Sequence, residues 1–221
     1  LLPFCHAFGN SVLQTHILSG ATLVVDGSPT FPNTIVEALH RHRITAFAGV
    51  PELYHALLAH SELRQLSLPN LRYMTVAGGA LQPNAALQVA EAIAPARFFT
   101  MYGQTEATAR LAYLPPDQLR RRPRAIGKAI AGVELQVRDG SGRQLAPGVI
   151  GELCARGANV MLGYWNDDVA TSEVCCDGWL RTGDLACADD EGFFYFRGRK
   201  AGEIKVGGVR VDLATVLSVL N

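Results

Sequence analysis

The sequence predicts an α/β fold, a parallel sheet flanked by helices, followed by a β-rich, barrel-like part. Three observations predict it. Up to about position 101, short apolar runs alternate with apolar residues at helical spacing. Beyond position 106 the texture changes to apolar runs separated by turn signals, notably Asp139-Gly140-Ser141-Gly142. The 221 residues are 48% hydrophobic, with neither internal repeats nor low-complexity tracts, which is enough to bury a sizeable core as one large domain or parts of two.

In order, the run around Leu2-Pro3 reads as the end of a strand. Phe8, Val12, Leu13 and Ile17 then recur at helical spacing. Residues 21–25 (ATLVV) read as a strand, and a helix follows Pro32 with Ile35, Val36 and Leu39 on one face. After a strand over 45–50, Pro51 suits the first turn of a helix carrying Leu53, Tyr54, Leu57 and Leu58. A strand over 73–76 ends in Ala77-Gly78-Gly79-Ala80, and a helix over 83–94 returns the chain to a strand over 97–101. Strands joined by helices run parallel. Further strands are predicted over 133–138, 151–155, 179–181, 193–196 and 203–206, with helices over 166–174 and 214–220. The expected division is 1–110 for the sheet part, 111–197 for the β-rich part, and 198–221 for a linker, small and charged at Gly198-Arg199-Lys200-Ala201-Gly202, that opens a further small domain.

Composition narrows the function. Formal net charge is zero, and the basic run Arg120-Arg121-Arg122-Pro123-Arg124 has no interleaved aromatics, so it reads as solvated surface or, alternatively, as a loop that meets a phosphate-bearing thiol substrate, and nucleic acid is not an expected partner. Five cysteines, odd in number and without C-x-x-C spacing, fit a reduced, cytoplasmic compartment. No apolar run is long enough to span a bilayer. G-x-S-x-G, G-x-x-x-x-G-K-[ST] and HExxH are all missing, so serine hydrolase, P-loop and zincin chemistry have no support.

Several polar groups stand at predicted strand ends, where open α/β sheets bind ligands. In Met101-Tyr102-Gly103-Gln104-Thr105-Glu106, Tyr102 offers a flat face to a base, Gly103 admits close backbone approach, and Glu106 suits a hard cation such as Mg²⁺. The same six residues are also compatible with a core tyrosine and an ordinary helix start. Asp184, in a predicted turn, is either a carboxylate for two sugar hydroxyls or an Asx-turn residue. Gly78-Gly79 either lets a flat ring lie against the main chain or simply turns it. His6, at the predicted strand end, either lines a pocket or is a satisfied core or surface group, and Arg199, Lys200 and Lys205 are either a cationic cluster suited to phosphoryl groups or solvated surface.

Taken in order, these segments resemble the superfamily of adenylate-forming (AMP-binding) enzymes, which includes acyl- and aryl-CoA ligases, firefly luciferase and peptide-synthetase adenylation domains. The matching segments are LPFCHAFG (2–9), AGGA (77–80), MYGQTE (101–106), GELCARGANVMLGYW (151–165) with WLRTGDL (179–185), and GRKAGEIKVGG (198–208). The resemblance implies the later part of the large domain plus the start of the small one. It implies ATP and Mg²⁺ as cofactors, a small-molecule carboxylic acid as substrate, and CoA or a carrier-protein phosphopantetheine arm as acceptor. Tyr102 would stack on adenine, with Gly78, Gly79 and Ala80 walling the base and Gly103 beside it. Thr105 would meet the α-phosphate and Glu106 would hold Mg²⁺. Asp184 would bind the ribose with Arg199 close by, and Lys205 would act in the thiol-transfer step. His6, Phe8, Ala77 and Gly78 would line the acyl pocket. That pocket lacks the aspartate of the amino-acid-activating branch, which favours a fatty or aromatic acid, since an unpaired buried ammonium is costly.

The resemblance also implies a phosphate-binding loop before Leu1 and an adenylation lysine after Asn221. The chain alone is therefore expected to make little acyl-AMP. At the hinge, where the family commonly has Asp or Lys, stands Ala201. Rival expectations are a non-catalytic nucleotide-binding fragment, an acid–AMP ligase loading a carrier protein, and an oxidative luciferase-like enzyme.

Overall fold

A computed structural model describes residues 2–200 and, as backbone, the paired strands Glu203–Val206 and Val209–Asp212. The Ala201-Gly202 hinge and the predicted helix over 214–220 lie outside the described residues, as does the side chain of Lys205.

The first layer is a five-stranded sheet. Strands β1 (Ala46–Gly49), β2 (Tyr73–Val76) and β3 (Arg97–Tyr102) run parallel, and β4 (Ala112–Leu114) and β5 (Lys128–Ala129) extend the sheet antiparallel. Helix α1 (Ala7–Leu18) precedes the sheet; α2 (Pro32–Arg41), α3 (Pro51–His60) and α4 (Pro83–Ala92) each start on a proline, whose fixed φ and missing N–H suit a first helical turn. Their apolar stripes meet one face of the sheet: Ile35, Val36, Leu39, Tyr54, Leu57 and Val89 enclose Met74, Val76 and Phe98. Each such side chain contributes about 1.5–3 kcal/mol on burial. Tyr54, fully buried, donates its hydroxyl to the Thr75 carbonyl at 2.8 Å, so its one polar atom is satisfied.

Two expectations fail here. Residues 21–25 form no strand: no described strand lies alongside them, and Val25 is 73% exposed, so propensity without a ladder partner gives open coil. His6 does not end a strand either. It is an exposed residue preceding α1, in a turn where its N–H donates to the Pro3 carbonyl.

The second layer is antiparallel, in the order β10-β9-β7-β6: β6 (Val133–Arg138), β7 (Gly151–Gly157), β9 (Trp179–Ala188) and β10 (Phe194–Arg199), with β8 (Cys175–Cys176) on β9. Helix α5 (Asp168–Val174) is capped by the Asp167 carboxylate, which accepts from the Ala170 N–H. The layers are stitched at Gly127 and Phe194, where Ile126 N–H donates to the Phe194 carbonyl and Phe194 N–H to the Gly127 carbonyl, both at 2.9 Å.

The basic run is solvated surface at Arg120, Arg121 and Arg124, as the sequence suggests, but not at Arg122. Arg120 pairs with Glu91 and Arg121 with Glu191. Arg122 is 7% exposed, stacked 4.1 Å over the Phe193 ring and held by Asp189, Glu191 and Gln118. The carboxylates that pair with these arginines lie far away in sequence, so the run's own polarity gave no sign of them.

Candidate functional site

Strands β3, β9 and β10 bring together side chains that are distant in the chain. Tyr102 ends β3, half-buried, and its hydroxyl donates to Asp184 Oδ2 at 2.6 Å across 82 residues. Arg199 Nε lies 2.9 Å from Asp184 Oδ1. Asp184 is 3% exposed, and a carboxylate so buried persists only with such partners. Burial, then the neighbouring Asp184 charge, holds the Tyr102 phenol well above its ordinary range, so Tyr102 stays a neutral donor.

Two irregularities aim Asp184 and Arg199 at each other. On β9 the register against β7 jumps from Glu152↔Leu185 to Cys154↔Arg181, leaving Thr182-Gly183-Asp184 as a bulge. Gly183 takes φ +71, and the Thr182 hydroxyl donates to the Leu153 carbonyl while accepting the Asp184 N–H. Asp184 is therefore neither at a turn after a short strand nor an Asx-turn residue; it sits inside a ten-residue strand. On β10 the register shifts between Phe196 and Gly198, which sets Arg199 rather than Gly198 opposite Asp184.

The segment after Tyr102 folds back tightly. Leu111 N–H donates to the Tyr102 carbonyl at 2.8 Å, and a Cβ on Gly103 would stand 2.1 Å from the Ala109 oxygen. Only glycine fits there. Thr105–Ala107 is a single 3₁₀ turn rather than an ordinary helix, leaving Thr105 exposed. The Glu106 carboxylate accepts the Tyr164 hydroxyl at 2.9 Å. At the end of β2, Ala77 is buried, whereas Gly78, with φ +88, and Gly79 and Ala80 are exposed, so this strand end carries almost bare main chain.

Sequence reasoning missed a second charged group beside the first. Glu152, 9% exposed, accepts from Arg181 Nη2 at 2.8 Å and from Lys200 Nζ at 3.1 Å. Burial pushes the Glu152 carboxyl up, but hydrogen bonds from Arg181 and Lys200 outweigh it and leave it below the ordinary carboxylate value. Arg199 and Lys200 are therefore each matched to a carboxylate rather than standing as an unopposed cationic cluster. The signal available in the sequence was weak: Glu152 and Arg181 lie on β7 and β9, whose pairing only the fold reveals.

Phe8 is half-buried on the first turn of α1 and His6 is exposed; among the described residues neither is hydrogen-bonded to the Tyr102–Asp184 group. Two surface cavities, of about 330 and 350 Å³, are lined by other residues, including Cys187 with Arg197 and His55 with Gln88. No described helix is long and apolar enough to cross a membrane.

A family model described as AMP-binding enzyme matches residues 1–165. The chain is 34% identical over 213 residues to a long-chain-fatty-acid–CoA ligase of Salmonella typhimurium, covering 95% of this chain and 37% of that protein. It is 32% identical over 225 residues to the indoleacetate–CoA ligase of Aromatoleum aromaticum, covering 100% and 43%. Among solved structures, o-succinylbenzoate–coenzyme A synthetase (MenE) of Bacillus subtilis in complex with AMP superposes with a TM-score of 0.82 at 28% identity, covering 99% of this chain and 44% of that one. The amide bond synthetase McbA of Marinactinospora thermotolerans does so with a TM-score of 0.78 at 32% identity, covering 86% and 38%. The chain thus spans well under half the length of these relatives.

Proposed function

The chain belongs to the AMP-binding enzyme family, and from that premise we propose that it is part of an AMP-forming acid–thiol ligase. One observation carries the reading. Tyr102, Asp184 and Arg199, from three strands, meet at one point with a buried carboxylate between an aromatic hydroxyl and a guanidinium. Base, ribose and phosphate need an aromatic wall, a carboxylate and a cation in that order.

In this reading a carboxylate oxygen of the substrate attacks the α-phosphorus of ATP, pyrophosphate leaves, and the resulting acyl-AMP is attacked at its carbonyl carbon by a thiolate, which releases AMP. The Tyr102 ring walls the adenine, and the exposed main chain of Gly78-Gly79 lets base and acyl group lie close. Gly103 keeps the strand end narrow. Asp184 accepts the ribose hydroxyls; its Oδ1 is buried against Arg199, which is 30% exposed, so in this reading the sugar takes the place that Arg199 holds and Arg199 turns to the phosphate. Thr105 offers its exposed hydroxyl to the α-phosphate.

The donor set suits a divalent cation. Glu106 and Thr105 are hard oxygen donors on adjacent residues, of the kind Mg²⁺ prefers. When bound there, Mg²⁺ would offset charge on the phosphates; Glu106 would hold it. Lys205, whose side chain is not described, would serve the thiol-transfer step by resemblance.

The substrate is read as a fatty or aromatic acid lining up against His6, Phe8, Ala77 and Gly78, in keeping with relatives named for long-chain fatty acids and indoleacetate. CoA is the acceptor of first choice and a carrier-protein phosphopantetheine the second. Five unbonded cysteines agree with a reducing cytoplasm. The divisions 1–110, 111–197 and 198–221 remain part of this reading, with β4 pairing with β3 across the first boundary and β5 following on β4.

Calorimetric titration with AMP tests the proposal. Saturable binding that weakens in both Tyr102→Ala and Asp184→Asn is expected. Equal affinity for AMP in all three proteins would refute it.

A further inference from the structure

Glu106 is anchored twice, and both anchors come from the segment between β7 and α5. The first holds its backbone. Met161 N–H donates to the Glu106 carbonyl at 2.8 Å; the Asn159 amide donates to the carbonyls of Ala107 and Arg110, each at 2.9 Å; and the Thr108 hydroxyl returns to the Asn159 carbonyl at 2.7 Å. This clamp holds Thr108 and Ala109 at φ +48 and +71, left-handed conformations that a non-glycine residue adopts only at a cost. A turn so constrained gives the Glu106 backbone one position.

The second anchor holds its carboxylate. The Tyr164 hydroxyl donates to Glu106 Oε1 at 2.9 Å across 58 residues, and Tyr164 is itself fixed because its N–H donates to Thr171 Oγ1 at 2.8 Å on α5. An unheld glutamate side chain gives up rotamer freedom when it is ordered. Held by Tyr164, it arrives ordered.

We propose that Tyr164 is a positioning residue for the divalent cation of a bound nucleoside triphosphate, its hydroxyl fixing Oε1 so that Oε2 is presented to the metal. This rests on the reading of Glu106 as the cation-holding carboxylate. A hydrogen bond to a ligating carboxylate orients it, and removing such a partner typically lowers metal affinity by about 10–100-fold. Tyr164→Phe deletes only an oxygen from a side chain that is already partly exposed, so the fold is retained.

The test measures the affinity of the chain for ATP with Mn²⁺ and with a chelator, by calorimetry, in the wild type, Tyr164→Phe and Glu106→Gln, with thermal melting alongside. The expected result is that the wild type binds Mn·ATP more tightly than metal-free ATP, and that Tyr164→Phe loses at least about tenfold of the Mn·ATP affinity. Its metal-free affinity and melting temperature should match the wild type, which a merely structural role for the tyrosine would not predict. If Glu106→Gln loses the metal advantage but Tyr164→Phe keeps it, the positioning role is overturned while the reading of Glu106 stands. If the wild type has no metal advantage, or Glu106→Gln retains it, Glu106 is not the cation's carboxylate and the inference falls with that reading.

Discussion

Breaking the contact between Tyr102 and Asp184 should be costly twice, once for the fold and once for the nucleotide. At 2.6 Å the bond is short and one partner is charged, which places its worth at about 1.5–3 kcal/mol. Tyr102→Phe removes the hydroxyl but leaves Asp184 paired with Arg199, so about 2 kcal/mol of stability should be lost. Asp184→Asn removes the charge that both partners face. Stranding one member of a fully buried ion pair costs about 3–5 kcal/mol. Because Arg199 is 30% exposed and recovers water, a loss nearer 2 kcal/mol is expected here. The two changes delete one shared interaction, so the double variant should fall short of their sum by about 1.5 kcal/mol.

Urea unfolding of the four proteins gives that coupling directly. The nucleotide side is read by AMP calorimetry. On the proposed reading both ribose hydroxyls lose a charged acceptor in Asp184→Asn, and about 2 kcal/mol corresponds to a roughly 30-fold weaker Kd. A coupling below about 0.5 kcal/mol would mean that the hydroxyl and carboxylate do not meet in solution. An unchanged AMP affinity in Asp184→Asn, at intact fold, would remove the ribose from this carboxylate.

Other perturbations reach neighbouring parts. Glu152 has a folded pKa below its ordinary value of 4.5 because Arg181 and Lys200 outweigh its burial, so its stabilisation is full above that value and is lost as pH falls through the lower folded value; Glu152→Gln should flatten the acid limb of a stability–pH curve below that ordinary value, and an unaltered limb would contradict the pairing. Gly103→Ala puts a Cβ 2.1 Å from the Ala109 oxygen and should destabilise by more than about 3 kcal/mol; a melting temperature equal to wild type would mean that the fold-back after Tyr102 is not as described. Burial, and then the Glu152 charge, pushes the Cys154 thiol up to about 11, so at pH 8 an alkylating reagent should label the exposed Cys5 and Cys176 while sparing Cys154 until denaturant is added; mass spectrometry of the labelled peptides decides it.

The first sheet was legible in the sequence because its signals are local. Pro32, Pro51 and Pro83 mark helix starts by their own geometry, and the stripes Ile35–Val36–Leu39 and Leu53–Tyr54–Leu57 declare which side is buried. Residues 21–25 misled because a strand is a property of a pair: ATLVV has the composition of a strand but not the partner. Of the site, the residue types were legible and their company was not. Tyr102 and Glu106 stood out beside a glycine at the end of an apolar run, yet nothing in that hexapeptide names Asp184 or Tyr164 as the group that each would touch.

Register explains why. Side chains alternate along a strand, so a shift of one residue turns a whole strand's faces over, and a bulge does this locally and on purpose. Asp184 faces Tyr102 because the Thr182-Gly183-Asp184 bulge on β9 departs from simple alternation. Arg199 faces Asp184 because β10 carries an extra residue between Phe196 and Gly198. Read as regular strands, Gly198 would have opposed Asp184 and the carboxylate would have been left without its guanidinium. The family motifs WLRTGDL and GRKAGEIKVGG place a glycine at each of these irregularities, Gly183 at φ +71 and Gly198 at φ +136, conformations that glycine adopts without strain. Those glycines, which touch no ligand in this reading, aim the two charged side chains that do.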